Sequence, residues 1–241
     1  MSLSIVIPTW NEAAWLPRLL TVLSTSHRPL EIVVADNHSS DDTRSLALAF
    51  GTKLVDGGLP ATGRNSGTRA ATGDILLFLD ADVVVPMLTL EDAINMLTRQ
   101  DAVAVHVRLD PITSSRFIRA CYRTMHWYFV GLGRLRYPQG VGSFVLVRRN
   151  AFESIGGFAE HVAVGEDADF FRRLGRVARV VYLARSALLV SPRRFRIANP
   201  IAFSAKCVLW ALLRLCGSSR SLLGYHWRAY PASAADAEKL A

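Results

Sequence analysis

The chain has 241 residues, 51% of them hydrophobic, which lies within the range of a single large α/β domain with an appendage. Its 28 basic and 20 acidic residues give a net charge of +8, which favours anionic partners such as phosphates or lipid head groups. Nucleic acid is the weaker choice, because the sequence has no long basic run and no zinc-finger, RRM or homeodomain pattern. The three cysteines have neither paired nor metal-binding spacing, so we expect a cytoplasmic protein without a disulfide framework.

Short apolar runs rich in Val and Ile predict strands that end at polar residues. The first run stops at Pro8 and lacks preceding basic residues, so we expect a strand there and not a signal peptide. Alternating strands and helices predict an α/β fold whose mostly parallel central sheet, flanked by helices, binds its ligand along the carboxyl edge. The predicted strands are residues 3–7, 31–35, 75–79, 102–109, 143–148 and 177–183, and the predicted helices are 12–23, 63–73, 117–132 and 166–174.

Two carboxylates, Asp80 and Asp82, follow the apolar strand 75–79 with one small residue between them. A divalent ion held by one or two carboxylates, with water and diphosphate oxygens completing its shell, is the usual arrangement for Mg²⁺ or Mn²⁺. Asp82 is the first choice of ligand and Asp80 the second. Taken alone, this spacing is weak evidence, since acidic residues commonly occupy strand ends and turns.

Several motifs then occur in order along the chain. They are IVIPTWNE at 5–12, EIVVADNHSSDDT at 31–43, GRNSG at 63–67, DAD at 80–82, GVGSF at 140–144, FESIGGF at 152–158 and GEDADF at 165–170. This ordered set resembles family 2 glycosyltransferases of the GT-A (Rossmann-like) fold over roughly residues 3–195. The resemblance implies an inverting enzyme that moves a sugar from a nucleotide-sugar donor to an acceptor hydroxyl.

The resemblance also assigns the donor site. Asn37 stands where many members carry a second acidic residue, and uridine is the favoured base. Arg64 and Asn65 would reach the donor from a helix N-terminus, with pure packing as the alternative. Arg193 and Arg194 would close over the diphosphate or form an exposed basic turn. The predicted donor-binding residues are Pro8, Thr9, Asn11, Glu12, Asp36, Asn37, Arg64, Asn65, Asp80, Ala81, Asp82, Arg193 and Arg194.

Inversion requires a base on the acceptor oxygen, opposite the departing diphosphate, and the resemblance places this base at Asp167. Its neighbour Glu166, together with Gly142 and Ser143, is predicted to contact the acceptor. Asp169 belongs to the same acidic motif, and we expect it to cap the helix or to pair with nearby arginines. A bound divalent ion would neutralise the charge that develops on the leaving diphosphate.

The chain is predicted to divide into a catalytic domain at 1–195 and an amphipathic helical extension at 196–241. Lys206 and Arg214 interrupt the apolar stretch 198–217, which excludes a membrane-spanning helix and suits a membrane surface. Packing on the catalytic domain or on a second subunit is the alternative. A lipid-linked or cell-envelope glycan as acceptor, and peripheral attachment to the inner face of the cell membrane, would agree with the first interpretation.

Two other functions compete with this one. A non-catalytic protein that binds nucleotide sugars or docks on membranes would not need Asp80, Asp82 and Asp167 intact. A nucleotidyltransferase would normally open with a Gly-rich phosphate loop, which residues 7–12 lack.

Overall fold

The structure is a computed structural model that describes residues 1–99, 102–135, 137–162, 165–193 and 195. The predictions for Arg194 and for the extension at 196–241 lie outside these residues. Its strands are β1 (Leu3–Thr9), β2 (Leu30–Asp36), β3 (Lys53–Asp56), β4 (Ile75–Leu79), β5 (Val83–Val84), β6 (Ala102–Pro111), β7 (Phe144–Arg148) and β8 (Arg179–Val190). Its helices are α1 (Leu16–Ser24), α2 (Thr43–Ala49), α3 (Pro60–Ala70), α4 (Met87–Arg99), α5 (Arg116–Arg134), α6 (Arg149–Ser154) and α7 (Glu166–Val177).

The described strands form one sheet in the order β3-β2-β1-β4-β7-β6-β8-β5. Strand β1 is parallel to β2 and β4, β2 is parallel to β3, and β6 is parallel to β8. Strand β7 runs antiparallel to both of its neighbours, and β5 runs antiparallel to β8. This arrangement confirms the predicted α/β fold with a mostly parallel central sheet.

The reversed strand β7 decides what meets at the functional edge. Because β7 is antiparallel, with Phe144 opposite Leu79, the residues that precede it lie at the carboxyl ends of β1, β2 and β4. The carboxyl ends of β6 and β8 lie at this same edge, because β6 is antiparallel to β7 and β8 is parallel to β6. Residues from widely separated parts of the chain therefore converge on one edge.

Helices cover both faces of the sheet, so the central strands contain continuous apolar runs. Ile5 and Ile7 face one core with Leu19 of α1, whereas Val6 faces a second core with Phe78 of β4. Ile5, Val6 and Ile7 are all 0% exposed, which explains a continuous apolar run in place of alternation. None of the helices in the described ranges combines the length and apolarity needed to cross a lipid bilayer.

Several predicted boundaries were wrong. Helix α1 begins at Leu16, not at residue 12, because Trp15 closes a turn on the Glu12 carbonyl before Pro17 enters the first helical turn. Helix α3 begins at Pro60, three residues before the predicted start, since proline suits a first helical position. Strand β8 runs to Val190, past its predicted end, because it pairs with β6 along most of its length.

Candidate active site

The predicted site residues come from the loops at the carboxyl edge of the sheet. The loop after β1 carries Asn11 and Glu12, and the loop after β4 carries Asp80 and Asp82. The segment that enters β7, the first turn of α7 and the residues after β8 supply the rest. This edge therefore gathers the motifs that the sequence places more than a hundred residues apart.

Asp36 ends β2 opposite Thr9 in the register of β1, and its side chain is fully buried. It accepts hydrogen bonds from Thr9 Oγ1 at 2.9 Å, from the Ser39 amide at 2.9 Å and from Arg44 Nη1 at 3.2 Å. Burial alone would raise the pKa of Asp36, but the bonds from Ser39, Thr9 and Arg44 outweigh it and the pKa is lowered. The carboxylate is therefore ionised and firmly oriented, and its contact with a nucleoside stays a prediction.

The loop after β1 is fastened to the loop after β2. Asn11 adopts a left-handed φ of 56°, a conformation that asparagine tolerates better than most residues. Its amide N–H donates to Ser39 Oγ at 2.8 Å, and its side-chain oxygen accepts from the Ser40 amide at 2.8 Å. The Glu12 amide donates to Thr43 Oγ1 at 2.8 Å. These bonds set the shape of the loop on which the predicted nucleoside contacts depend.

Two further donor-site predictions fall beside this loop. The backbone N–H of Asn37 donates to the Thr9 carbonyl at 2.8 Å. The residue is partly exposed at the edge. Pro8 lies under α3, where a Cβ at Gly63 would stand 3.2 Å from the proline ring. Glycine thus lets α3 approach β1 closely and brings Arg64 to the site.

Arg64 is buried at the centre of the edge and 3% exposed. Its Nη1 bonds Glu166 Oε1 at 2.8 Å, its Nη2 bonds Asp80 Oδ1 at 3.1 Å, and its guanidinium carbon lies 5.2 Å from the Phe158 ring centre. The second oxygen of Asp80 accepts from Ser143 Oγ at 2.7 Å. Arg64 therefore joins Asp80, after β4, to Glu166 in the first turn of α7, a connection that the sequence did not reveal.

Asp167 lies next to this ion pair. Its Oδ2 accepts from the Gly142 amide at 2.9 Å and its Oδ1 from the Ala168 amide at 2.7 Å. A Cβ at Gly142 would overlap the Arg64 guanidinium, so a larger residue there would have to displace that group. Burial and the neighbouring Glu166 raise the pKa of Asp167 to about 6, although Arg64 lowers it. A carboxyl with a pKa just below neutrality can accept a proton efficiently.

Arg193 connects the other end of the edge. The Ser191 amide donates to the Asp82 carbonyl at 3.2 Å, which brings the residues after β8 beside the loop after β4. The guanidinium of Arg193 bonds both oxygens of Glu12, with Nη1 to Oε2 at 2.9 Å, and its Nε lies 2.8 Å from Asp82 Oδ2. Arg193 is 8% exposed, so this residue does not form the exposed basic turn that was the alternative.

The described site carries more negative than positive groups. Glu12, Asp80, Asp82, Glu166 and Asp167 are five carboxylates, and Arg64 and Arg193 are two guanidiniums. This excess of acid fits a bound cation, and oxygen ligands suit Mg²⁺ or Mn²⁺. Within the described ranges no three acidic, imidazole or thiol groups meet as a ready metal cage, so donor oxygens and water would have to complete the shell.

Other predicted residues point away from this centre. Asn65 uses its amide to accept from the Phe158 N–H at 3.0 Å and to donate to the Phe158 carbonyl and to Glu160. It lies inside α3, so the prediction that Arg64 and Asn65 open this helix was wrong. The side chain of Ala81 packs in the core, which leaves only its backbone to face a ligand. Asp169 pairs with Arg172 and Arg173, as expected, at 2.8 and 2.7 Å.

Sequence reasoning missed the residues that support this edge. Ser39 and Thr43 lie in the quoted motif 31–43, and Arg44 follows it directly, so position alone could have drawn attention to them.

A cavity of about 440 Å³ at the opposite edge is lined by residues such as Ser4, Glu31 and Thr72. Glu31 there already accepts bonds from Ser4 and Thr72, so this cavity offers no carboxylate cluster comparable to the carboxyl edge.

Comparison with known proteins gives consistent results. The chain is 27% identical over 208 residues to the succinoglycan biosynthesis protein ExoA of Rhizobium meliloti, which covers 78% of the chain and 63% of ExoA. It is 27% identical over 216 residues to the pre-mycofactocin glycosyltransferase of Mycobacterium tuberculosis, covering 84% of the chain and 45% of that protein. The chain thus spans less than two thirds of the length of these relatives.

Solved structures share the fold. Staphylococcus aureus TarS 1–349 in complex with UDP-GlcNAc superposes with a TM-score of 0.63 at 20% identity, covering 79% of this chain and 58% of TarS. Glucosyl-3-phosphoglycerate synthase from M. tuberculosis, in complex with Mn²⁺ and UDP-glucose, superposes with a TM-score of 0.65 at 20% identity, covering 96% and 88%. These neighbours are GT-A fold glycosyltransferases. Residues 4–156 match the family described as Glycosyl transferase family 2, and the chain belongs to that family.

Proposed function

We propose that this protein is an inverting glycosyltransferase that moves a sugar from a UDP-sugar to an acceptor hydroxyl, with Asp167 as the base. The observation that carries the proposal is the position of Asp167. Two backbone amides hold it beside the Arg64–Asp80 pair, with a pKa of about 6. Family membership and two neighbours solved with UDP-sugars support the choice of donor.

The donor diphosphate would lie over the loop after β4. Asp82 would hold a divalent ion there, with Asp80 as second ligand, and the ion would neutralise charge on the leaving diphosphate. Asp80 is the poorer ligand, because both of its oxygens already accept bonds from Arg64 and Ser143. Arg193 contacts Asp82 at 2.8 Å, so it is close enough to exchange this carboxylate for a diphosphate oxygen.

Asp167 would act on the acceptor. As the acceptor oxygen forms its bond to the anomeric carbon, its proton passes to a carboxylate oxygen of Asp167. The bond between that carbon and the diphosphate oxygen breaks, and its electron pair leaves with the diphosphate. Attack from the side opposite the leaving group inverts the anomeric centre. At pH 7 a group with a pKa of about 6 is mostly deprotonated and ready to accept this proton.

The acceptor would approach past the segment that enters β7. Gly142 and Ser143 contact Asp167 and Asp80 respectively, and Glu166 closes the other side through Arg64. By name, ExoA is a succinoglycan biosynthesis protein and TarS a poly(ribitol-phosphate) β-N-acetylglucosaminyltransferase. We therefore propose a glycan of the cell envelope, in free or lipid-linked form, as the acceptor class.

The decisive experiment compares Asp167→Asn with Glu166→Gln in the full chain. After nucleotide sugars have been screened for Mn²⁺-dependent binding, transfer is measured with the best donor and saccharide or envelope acceptors. Asp167→Asn keeps the shape and removes the base, so transfer should fall by about 10²- to 10⁴-fold with nearly unchanged UDP affinity. Glu166→Gln leaves the base in place and should cost far less.

Two results would contradict the assignment. Transfer by Asp167→Asn at the wild-type rate would show that another group takes the proton. Loss of UDP binding with Asp167→Asn would make this residue part of the donor site. A protein that binds UDP-sugars in the presence of Mn²⁺, yet transfers to no acceptor and releases no UDP to water, would favour the non-catalytic alternative.

A further inference from the structure

The outer face of helix α5 carries an unusual combination of residues. Positions 116, 119, 123, 127 and 134 recur at spacings of three, four and seven, so they share one stripe of the helix. These positions are Arg116, Arg119, Arg123, Trp127 and Arg134, and all five are exposed. With a rise of 1.5 Å per residue, the 19-residue helix presents this stripe over about 28 Å.

The orientation of α5 is set by its inner face. Ile118, Phe129 and Leu132 are each 7% exposed, and His126 Nδ1 lies 2.8 Å from Tyr182 Oη of β8. Packing of these residues against the domain turns the stripe outward. Trp127 remains 62% exposed, so a large aromatic side chain is available within the stripe.

The charge of the stripe is not neutralised nearby. Helix α5 contains four arginines and no acidic residue, and in the described residues none of these arginines forms an ion pair. Some arginines elsewhere do pair, such as the exposed Arg28 with Glu91 at 2.9 Å and the half-buried Arg108 with Asp110 at 2.8 Å. Within the described residues, the stripe is therefore one place where several positive charges are grouped and available to an external anion.

The apolar residues identify the kind of anionic surface. Phe117 and Leu135, which are 45% and 75% exposed, lie near the two ends of α5, and Trp127 lies between them. Tryptophan favours the boundary between water and lipid, and guanidiniums bind the phosphates of lipid head groups. A duplex nucleic acid would satisfy the arginines and leave Phe117 and Leu135 in water.

We propose that α5 docks on an anionic lipid surface through this stripe of four arginines and Trp127. The docking itself is independent of the proposed transferase activity. Its consequence for the acceptor rests on that function. Tyr128 of α5 bonds Gln139 at 2.7 Å, and the chain runs from there to Gly142, whose amide bonds Asp167. An acceptor held at the lipid surface would thus be presented on the side of the base.

The test uses the full-length chain and sedimentation with vesicles of phosphatidylcholine and phosphatidylglycerol in equal amounts. Vesicles of phosphatidylcholine alone are the neutral control. The double variant Arg119→Gln/Arg123→Gln should lower the partition coefficient by about fivefold for each arginine removed. Arg69→Gln/Arg99→Gln removes the same charge from exposed positions on α3 and α4 and should leave binding within about twofold of wild type.

A second measurement separates lipid insertion from adsorption by charge. Brominated phosphatidylcholine in the anionic vesicles should quench part of the tryptophan fluorescence, and Trp127→Phe should remove part of that quenching. These readouts need no donor, so a failed transfer assay does not affect them. The proposal is overturned if the wild-type protein does not bind anionic vesicles, or if Arg119→Gln/Arg123→Gln and Arg69→Gln/Arg99→Gln bind them equally. Salt-sensitive binding to a DNA duplex with no quenching by brominated lipid would instead identify a nucleic-acid surface.

Discussion

The two carboxylates after β4, Asp80 and Asp82, belong to two different buried ion-pair networks. Asp80 belongs to the Arg64 network, which reaches Glu166 at 2.8 Å. Asp82 belongs to the Arg193 network, which reaches Glu12 with an Nη1–Oε2 distance of 2.9 Å. Both arginines are nearly inaccessible to water, and each connects a neighbouring carboxylate to one that is distant in the sequence.

The two networks differ in what holds their arginine. Arg64 lies inside α3, and its guanidinium stacks on Phe158 and lies against Gly142, so it has little room to move. Arg193 follows the end of β8 in a short segment attached to Asp82 by one backbone bond. The Arg64 network therefore has the character of a fixed support for Asp167, the proposed base, whereas we expect the Arg193 network to be the one that rearranges around a donor.

Stability should show the largest difference. Arg64→Met removes a buried cation and leaves Asp80, Glu166 and Asp167 facing one another, so the free energy of unfolding should fall by about 3–5 kcal/mol. Arg193→Met should lower the free energy of unfolding by less. Burial raises the pKa of Glu12 to about 7, even though Arg193 lowers it, so Glu12 can take up a proton when Arg193 is removed. Urea denaturation at pH 7 measures both.

The exposed Arg69→Met is the control for the loss of a guanidinium and should change stability by no more than about 0.5 kcal/mol. Equal losses for the two buried arginines would remove the distinction between a fixed and an adaptable network. A larger loss for Arg193→Met would reverse it.

The acidic pair itself should divide in the same way. Asp82→Asn should weaken Mn²⁺ binding in the presence of UDP by at least about tenfold, since even residues behind the ligands of a metal contribute that much. Asp80→Asn should have a smaller effect on Mn²⁺, because this carboxylate mainly supports Arg64 and Ser143. Electron paramagnetic resonance of free Mn²⁺ reports both, with the more exposed Asp110→Asn as control. Full transfer in excess EDTA would contradict any metal role.

The smallest expected effect is on pH dependence. The base must be deprotonated, so kcat/KM should fall by about tenfold per pH unit below a pKa of about 6. Burial and Glu166 raise the pKa of Asp167, so Glu166→Gln should shift this fall in kcat/KM, the acidic limb of the pH profile, to lower pH. Glu153→Gln, at an exposed position, should not shift it. A limb that stays in place with Glu166→Gln would have to arise from a group other than Asp167.

Contacts between residues close in the sequence could be predicted, whereas contacts between residues far apart in the sequence could not. Asp80, Asp82 and Asp167 could be proposed from the sequence because each lies within two residues of the end or start of a regular element, inside a recognisable motif. The pairing of Asp169 with Arg172 and Arg173 was foreseen because residues three and four apart share a helix face. In contrast, Arg64 was assigned to the donor and Arg193 to the diphosphate, and their carboxylate partners were missed. Glu166 lies 102 residues from Arg64, and Glu12 lies 181 residues from Arg193.

By itself, the sequence determined the α/β architecture, the buried strands and the family, because apolar runs and motif order are local signals that survive without coordinates. Only the tertiary structure decided that reversed β7 brings Gly142 and Ser143 to the edge where β4 ends. It likewise decided that Asn65 packs against Phe158 and that α5 turns its arginines outward. Strand direction and helix orientation depend on the summed packing of many distant residues, and no single segment of the chain encodes that sum.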